Sequence, residues 1–238
     1  MNAGTAALAA LLVAIPASAQ PGPELLGRSV EGRRISAVEL GDSHSSKKLL
    51  VVGCIHGNEC AGLPIVRALE RLPTPAGLDL WLLENLNPDG YARDTRQNAH
   101  GVDLNRNFPW AWQRLGGIYN SGSRPLSEPE SRIAYRLILR VRPQISIWFH
   151  QHEQVVDESG GDIAVERRFS ALVGLPLRRL PHEPGSAVTW ENHSLRGTTA
   201  FVVELPAGSL STAAAFRYAR AVLALARIPK GHTIRPTR

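Results

Sequence analysis

Beyond residue 20 the sequence has no apolar run long enough to cross a bilayer, which excludes a transmembrane helix in that part of the chain. It also lacks a dense basic run interleaved with aromatics. Its formal charge of +6 is carried mostly by scattered arginines, so nucleic-acid binding has no support, although an anionic polymer remains a conceivable partner. No internal repeat, low-complexity tract or interdomain linker is visible. A length of 238 residues therefore predicts one domain with one substantial core. Cysteine is scarce: only Cys54 and Cys60 occur. They bracket a His-x-x-Glu segment, and their spacing leaves open whether they are paired or are two free thiols.

The N-terminus is different. Ala6 to Ile15 is a short apolar run, followed by Pro16 and Ala17-Ser18-Ala19. An apolar stretch before a small-x-small site predicts a signal peptide over 1–19, with Gln20 as the first mature residue and export from the cytoplasm. The segment before the apolar run carries no Lys or Arg, which departs from the usual pattern. An uncleaved apolar tail or anchor is the competing reading.

From about Leu49 onward, strand-like and helix-like patches alternate. Leu49 to Val52, Leu78 to Leu83, Ile145 to Phe149 and Ala200 to Leu205 read as strands covered on both faces. Pro64 to Leu72 places Ile65, Val66, Leu69 and Leu72 on one helical stripe. Asn87-Pro88-Asp89-Gly90 reads as a turn. Ser127 and Glu130 read as a capping box opening a helix that ends near Arg142, and Ser211 to Arg227 reads as a closing helix. The alternation predicts a single α/β domain whose central sheet is mixed or largely parallel, with helices on both faces.

The chemistry-bearing residues fall at the ends of these elements, where open α/β sheets bind ligands. A hydrolytic zinc site needs three N or O ligands and an open position. His56 and Glu59 supply two at i, i+3 after the first strand. His150 ends another strand and supplies the third, with His152 as a rival because alternate strand residues share a face. Glu204 lies in the apolar run Phe201 to Leu205, where a carboxylate is costly unless its charge is used, and it suits a general base. Each piece alone is weak.

Together they carry a resemblance. Gly53 to Glu59, Asn85 to Gly90, Arg96 to Phe108, Ser127 to Glu130 and Val203 to Pro206 resemble, in order, the M14 zinc carboxypeptidases, in particular the short bacterial branch that contains the murein peptide amidases. The resemblance implies a zinc carboxypeptidase-like domain over 20–238 holding one zinc ion. In it, His56, Glu59 and His150 are the ligands, Glu204 activates water, and Asn105 and Arg106 hold the substrate carboxylate. Arg96 polarises the scissile carbonyl, and Asp103 orients His56. The implied substrate is a peptide with a free C-terminal carboxylate, with cell-wall peptides among the candidates. A zinc deacylase of N-acyl amino acids and a non-catalytic peptide-binding module are the alternatives. The tyrosine that digestive relatives place over the substrate has no counterpart before Glu204, where Trp190, Asn192 and His193 stand.

Overall fold

The computed structural model describes residues 22–181 and 183–226. The signal peptide expected over 1–19 lies outside them, as does Arg227 at the end of the expected closing helix. Among the described residues the strands are β1 (Glu24–Arg28), β2 (Arg34–Gly41), β3 (Lys48–Val52), β4 (Asp79–Leu83), β5 (Ile145–Gln151), β6 (Val155–Asp157), β7 (Leu177–Arg178) and β8 (Thr199–Leu205). The helices are α1 (Leu63–Arg71), α2 (Pro88–Arg93), α3 (Pro129–Val141), α4 (Ile163–Val173), α5 (Ala187–Ser194) and α6 (Thr212–Leu225).

All eight strands form one sheet in the order β1-β2-β4-β3-β5-β8-β6-β7. The centre, β4-β3-β5-β8, is parallel, whereas β2 joins β4 and β6 joins β8 antiparallel. The sheet is thus mixed with a parallel core. Its strands are buried on both sides, which is why their sequences are continuous apolar runs. Alternate residues feed two separate cores. Leu49, Val51, Ile147, Phe149 and Val203 pack beneath α1, α4 and α6. Leu50, Val52, Trp148, Ala200 and Val202 pack with residues of α3 and α5. Truncating a buried Leu or Ile to Ala in either layer costs roughly 2–5 kcal/mol. No helix among the described residues is long and apolar enough to cross a membrane.

Local expectations hold for α1, whose buried face includes Ile65, Val66 and Leu69, and for α6, capped by Ser211 through Ala214 N. Two need correction. Asn87-Pro88-Asp89-Gly90 begins α2 instead of making a turn: Asn87 is its N-cap, accepting from Gly90 N at 2.9 Å, with Pro88 at the first helical position. The capping box at Ser127 does not form. The N-cap of α3 is Glu128, because Pro129 takes the first helical position, and Ser127 instead donates to the Glu128 carboxylate. Glu130 turns away to accept from Val30 N and Asn98 Nδ2. The β1–β2 hairpin, β6 and β7 are absent from the sequence reading: β1 and β2 are half exposed at one side of the sheet, and β6 and β7 span only three and two residues.

Candidate active site

Strands β3, β5 and β8 are parallel neighbours, so their carboxyl ends open on the same edge of the sheet. The register places His150 directly beside Glu204. The segment leaving β3 carries His56 and Glu59 over the same edge, and a disulfide between Cys54 and Cys60 closes it at its base. Gly57 has no alternative there: a Cβ would sit 2.0 Å from the Gly90 carbonyl carbon.

His56, Glu59 and His150 converge, with one ligand atom from each lying within 4.8 Å of the others. His56 Nδ1 is 2.9 Å and His150 Nδ1 3.2 Å from Glu59 Oε2. His56 Nε2 faces Asp103 Oδ1 at 3.0 Å. With Nε2–H donated to Asp103, His56 Nδ1 and Glu59 Oε2 are two lone-pair atoms in contact. Only a positive charge between them, a proton or a metal ion, makes that arrangement favourable. Two imidazole nitrogens and a carboxylate oxygen are a zinc donor set, so the residues fit the ion their spacing implies. His152 follows the end of β5, is exposed, and lies outside this cluster.

The charges around the cluster follow the same logic. Burial would lower His56, but the Asp103 carboxylate raises it. Burial would raise Glu59 and Asp103, yet the imidazoles of His150 and His56 bonded to Glu59, and His56 with Arg96 and Arg106 around Asp103, hold both well below the carboxylate range. Burial dominates at His150 and lowers it. Glu204 goes the other way: burial and then the Glu59 charge push it up to about 7, and its Oε2 is buried without a hydrogen-bond partner.

Asp103 is a junction. Besides His56 it accepts from Asn105 N at 2.9 Å and from Arg96 Nε at 2.9 Å. Arg96 also reaches Glu59 Oε1 at 2.7 Å, so its partners are Asp103 and Glu59 rather than Asp94 or Asp89. Asn105 and Arg106 occupy a buried 3-10 turn, Leu104–Arg106. The Asn105 carboxamide oxygen accepts from Ala187 N at 2.9 Å, and Arg106 Nη1 bonds Asn105 O at 3.0 Å. Gly185, at φ +72°, packs against this turn where a Cβ would meet Arg106 O at 2.3 Å. His56, Glu59, Arg96, Asn105, Arg106, His150 and Glu204 line a cleft of about 390 Å³.

The cleft also holds residues that the sequence motifs do not mark, among them an aromatic beside the two arginines. Tyr119 follows the positive-φ Gly117 and stands 5.4 Å from the guanidinium carbons of both Arg96 and Arg106. Its only sequence signal was an aromatic in a Gly-rich loop. The Trp190–His193 region proves structural in part: Trp190 packs on Phe108 and Tyr135, and Asn192 bonds Ala200 and Ser159.

The chain was compared with known proteins. The zinc carboxypeptidase (Peptidase_M14) family model matches residues 75–164. Murein peptide amidase A of Escherichia coli K12 is 32% identical over 144 residues, which cover 55% of this chain and 59% of that protein. Murein peptide amidase A of Vibrio campbellii is 31% identical over 202 residues, covering 77% of this chain and 79% of that protein. The crystal structure of the murein-tripeptide amidase from E. coli O157 superimposes with a TM-score of 0.73 at 26% identity, over 89% of this chain and 94% of that one. The chain belongs to the zinc carboxypeptidase family, in its murein peptide amidase-like branch.

Proposed function

We propose that the protein is a zinc metallocarboxypeptidase that hydrolyses the amide bond next to a free C-terminal carboxylate, in cell-wall-type peptides. The observation that carries this reading is the pairing of His150 with Glu204 across β5 and β8, beside the His56–Glu59 pair. Ligand set and base thus meet in one cleft. The names of the relatives support peptide and murein substrates.

His56, Glu59 and His150 would hold one zinc ion, which when bound supplies the Lewis acidity for the carbonyl and for the attacking water. Asn105 and Arg106 hold the substrate's terminal carboxylate, the guanidinium fork matching its two oxygens. Arg96 commits Nε–H to Asp103 and an Nη1–H to Glu59. Its remaining N–H groups are available for the carbonyl oxygen as charge develops there. Glu204 takes a proton from the water as its oxygen bonds to the carbonyl carbon. The same proton passes to the amine nitrogen as the C–N bond breaks. Asp103 fixes the His56 tautomer.

We also propose export with loss of 1–19. The apolar run and Ala17-Ser18-Ala19 support it, and the Cys54–Cys60 disulfide suits an oxidising compartment.

The test is Glu204→Gln in the zinc-loaded chain beginning at Gln20, assayed on peptides with free and amidated C-termini and on N-acyl amino acids. Metal content stays at one per chain while turnover falls roughly 100-fold or more. Undiminished turnover refutes the assignment of the base. Cleavage confined to N-acyl amino acids moves the activity to deacylation.

A further inference from the structure

At the carboxyl end of the sheet the backbone ladder runs out just where the functional groups begin. β3 pairs with β5 only as far as Val52 opposite Trp148, so strand pairing does not tie the segment carrying His56 and Glu59 to β5. On the other side, β8 pairs with β5 as far as Leu205 opposite Gln151. Pro206 follows and has no N–H with which to extend the ladder. Three segments that need a fixed spacing therefore leave the sheet separately: one with His56 and Glu59, one with His150, one with Glu204.

The Gln151 side chain joins them. Its Oε1 accepts from Ala61 N at 2.9 Å, and its Nε2 donates to Pro206 O and Gly208 O, both at 2.8 Å. Its backbone N–H reaches Glu59 Oε2 at 3.5 Å. Each contact lies beside a residue of the site. Gln151 itself follows His150, Ala61 is two residues past Glu59, and Pro206 is two residues past Glu204. The same segment continues to Glu153, whose N–H bonds the Glu204 carboxylate.

The partners dictate the side chain. The Ala61 N–H requires an acceptor and the two carbonyls require donors, so the neighbours fix which way the carboxamide faces. A carboxylate would set lone pairs against Pro206 O and Gly208 O, and an ammonium would offer nothing to Ala61 N–H. The segment after Glu59 also runs tight against β5, since a Cβ on Gly62 would meet Phe149 Cβ at 2.7 Å. We propose that Gln151 is a positioning residue whose carboxamide sets the spacing between the metal ligands His56, Glu59 and His150 and the base Glu204. The catalytic half of this inference rests on the hydrolase reading above, whereas the metal half needs only the donor set. A glutamine that merely tied down loops would stabilise the fold without altering metal affinity or chemistry.

The experiment compares Gln151→Met, which keeps the length of the side chain and removes its hydrogen bonds, with Val222→Ala, which opens the core under α6 away from the cleft. Both lower the melting transition. Zinc affinity is read by competition with a chromogenic chelator, and kcat and KM are read at saturating zinc on a peptide with a free C-terminus. In Gln151→Met zinc binding weakens about tenfold or more, and kcat falls roughly 10- to 100-fold while KM stays within about threefold. Val222→Ala leaves all three at the parent's level. If no form cleaves any peptide but zinc affinity still falls in Gln151→Met alone, the positioning of the ligands stands and the hydrolase reading fails. Undiminished zinc affinity in Gln151→Met overturns the proposal, whether or not a peptide is cleaved. So does a kcat that stays at the parent's level, or an equal loss of affinity in Val222→Ala. Should Gln151→Met fail to fold, Gln151→Asn, one methylene shorter, is read against the same outcomes.

Discussion

Glu191 offers a quantitative test of how this fold holds its pocket wall against the sheet. It lies on α5, is fully buried, and accepts from Ser146 Oγ at 2.6 Å and Trp148 Nε1 at 2.8 Å, both on β5. The same helix lines the cleft, and the same strand carries His150. Burial pushes Glu191 up from 4.5 to about 7, with the two hydrogen bonds only partly opposing it. Between pH 4.5 and 7 the folded protein therefore retains a proton that the unfolded chain has released, so stability falls as pH rises through this window. At about 1.4 kcal/mol per pH unit, the loss attributable to Glu191 is roughly 3 kcal/mol above pH 7. Glu191→Gln removes the titration while keeping an acceptor for Trp148 and a donor for Ser146. Urea unfolding of both proteins at pH 5 and pH 8 isolates the effect from other carboxyls, which are common to both. The variant should match the parent to within about 1 kcal/mol at pH 5 and exceed it by roughly 3 kcal/mol at pH 8. A variant whose stability relative to the parent does not change with pH would refute the reasoning. It would mean that Ser146 and Trp148 stabilise the ionised form as fully as water does.

Other predictions concern the cleft itself. Asp103→Asn leaves His56 Nε2 without its carboxylate partner and should weaken zinc binding roughly 10- to 100-fold, read by competition with a chromogenic chelator. Arg106→Gln removes a charged partner of the substrate carboxylate. It should lower kcat/KM about 10- to 100-fold for free-acid peptides and erase their advantage over amidated ones. Tyr119→Ala should raise KM a few-fold by removing an aromatic face worth roughly 0.5–2 kcal/mol to Arg96 and Arg106, whereas Tyr119→Phe should retain it. A kcat loss in the Phe variant would instead place the hydroxyl in the reaction.

The sequence determined what depends on local pattern and residue chemistry. The buried apolar runs marked β3, β4, β5 and β8 because strands covered on both faces have no polar alternation to display. The ordered motifs marked His56, Glu59, Glu204, Asn105 and Arg106, and the end of an apolar run marked His150, because few residue types can bind a metal, move a proton or grip a carboxylate. What is non-local had to wait for the tertiary structure. The β1–β2 hairpin lies half exposed at one side of the sheet and β6 has only three residues, so pairing gives both their identity. Ser127 and Glu130 showed the spacing of a capping box, but Pro129 shifted the helix start and long-range partners claimed Glu130. His150 and His152 have the same parity in sequence, and only the end of β5 separates one from the other. The His150–Glu204 register is a product of strand order, and the double grip of Arg96 on Asp103 and Glu59 and the place of Tyr119 over two arginines come from loops folding back over the strand ends. Strand order is set by which faces find a core to bury, and no window of adjacent residues carries that information.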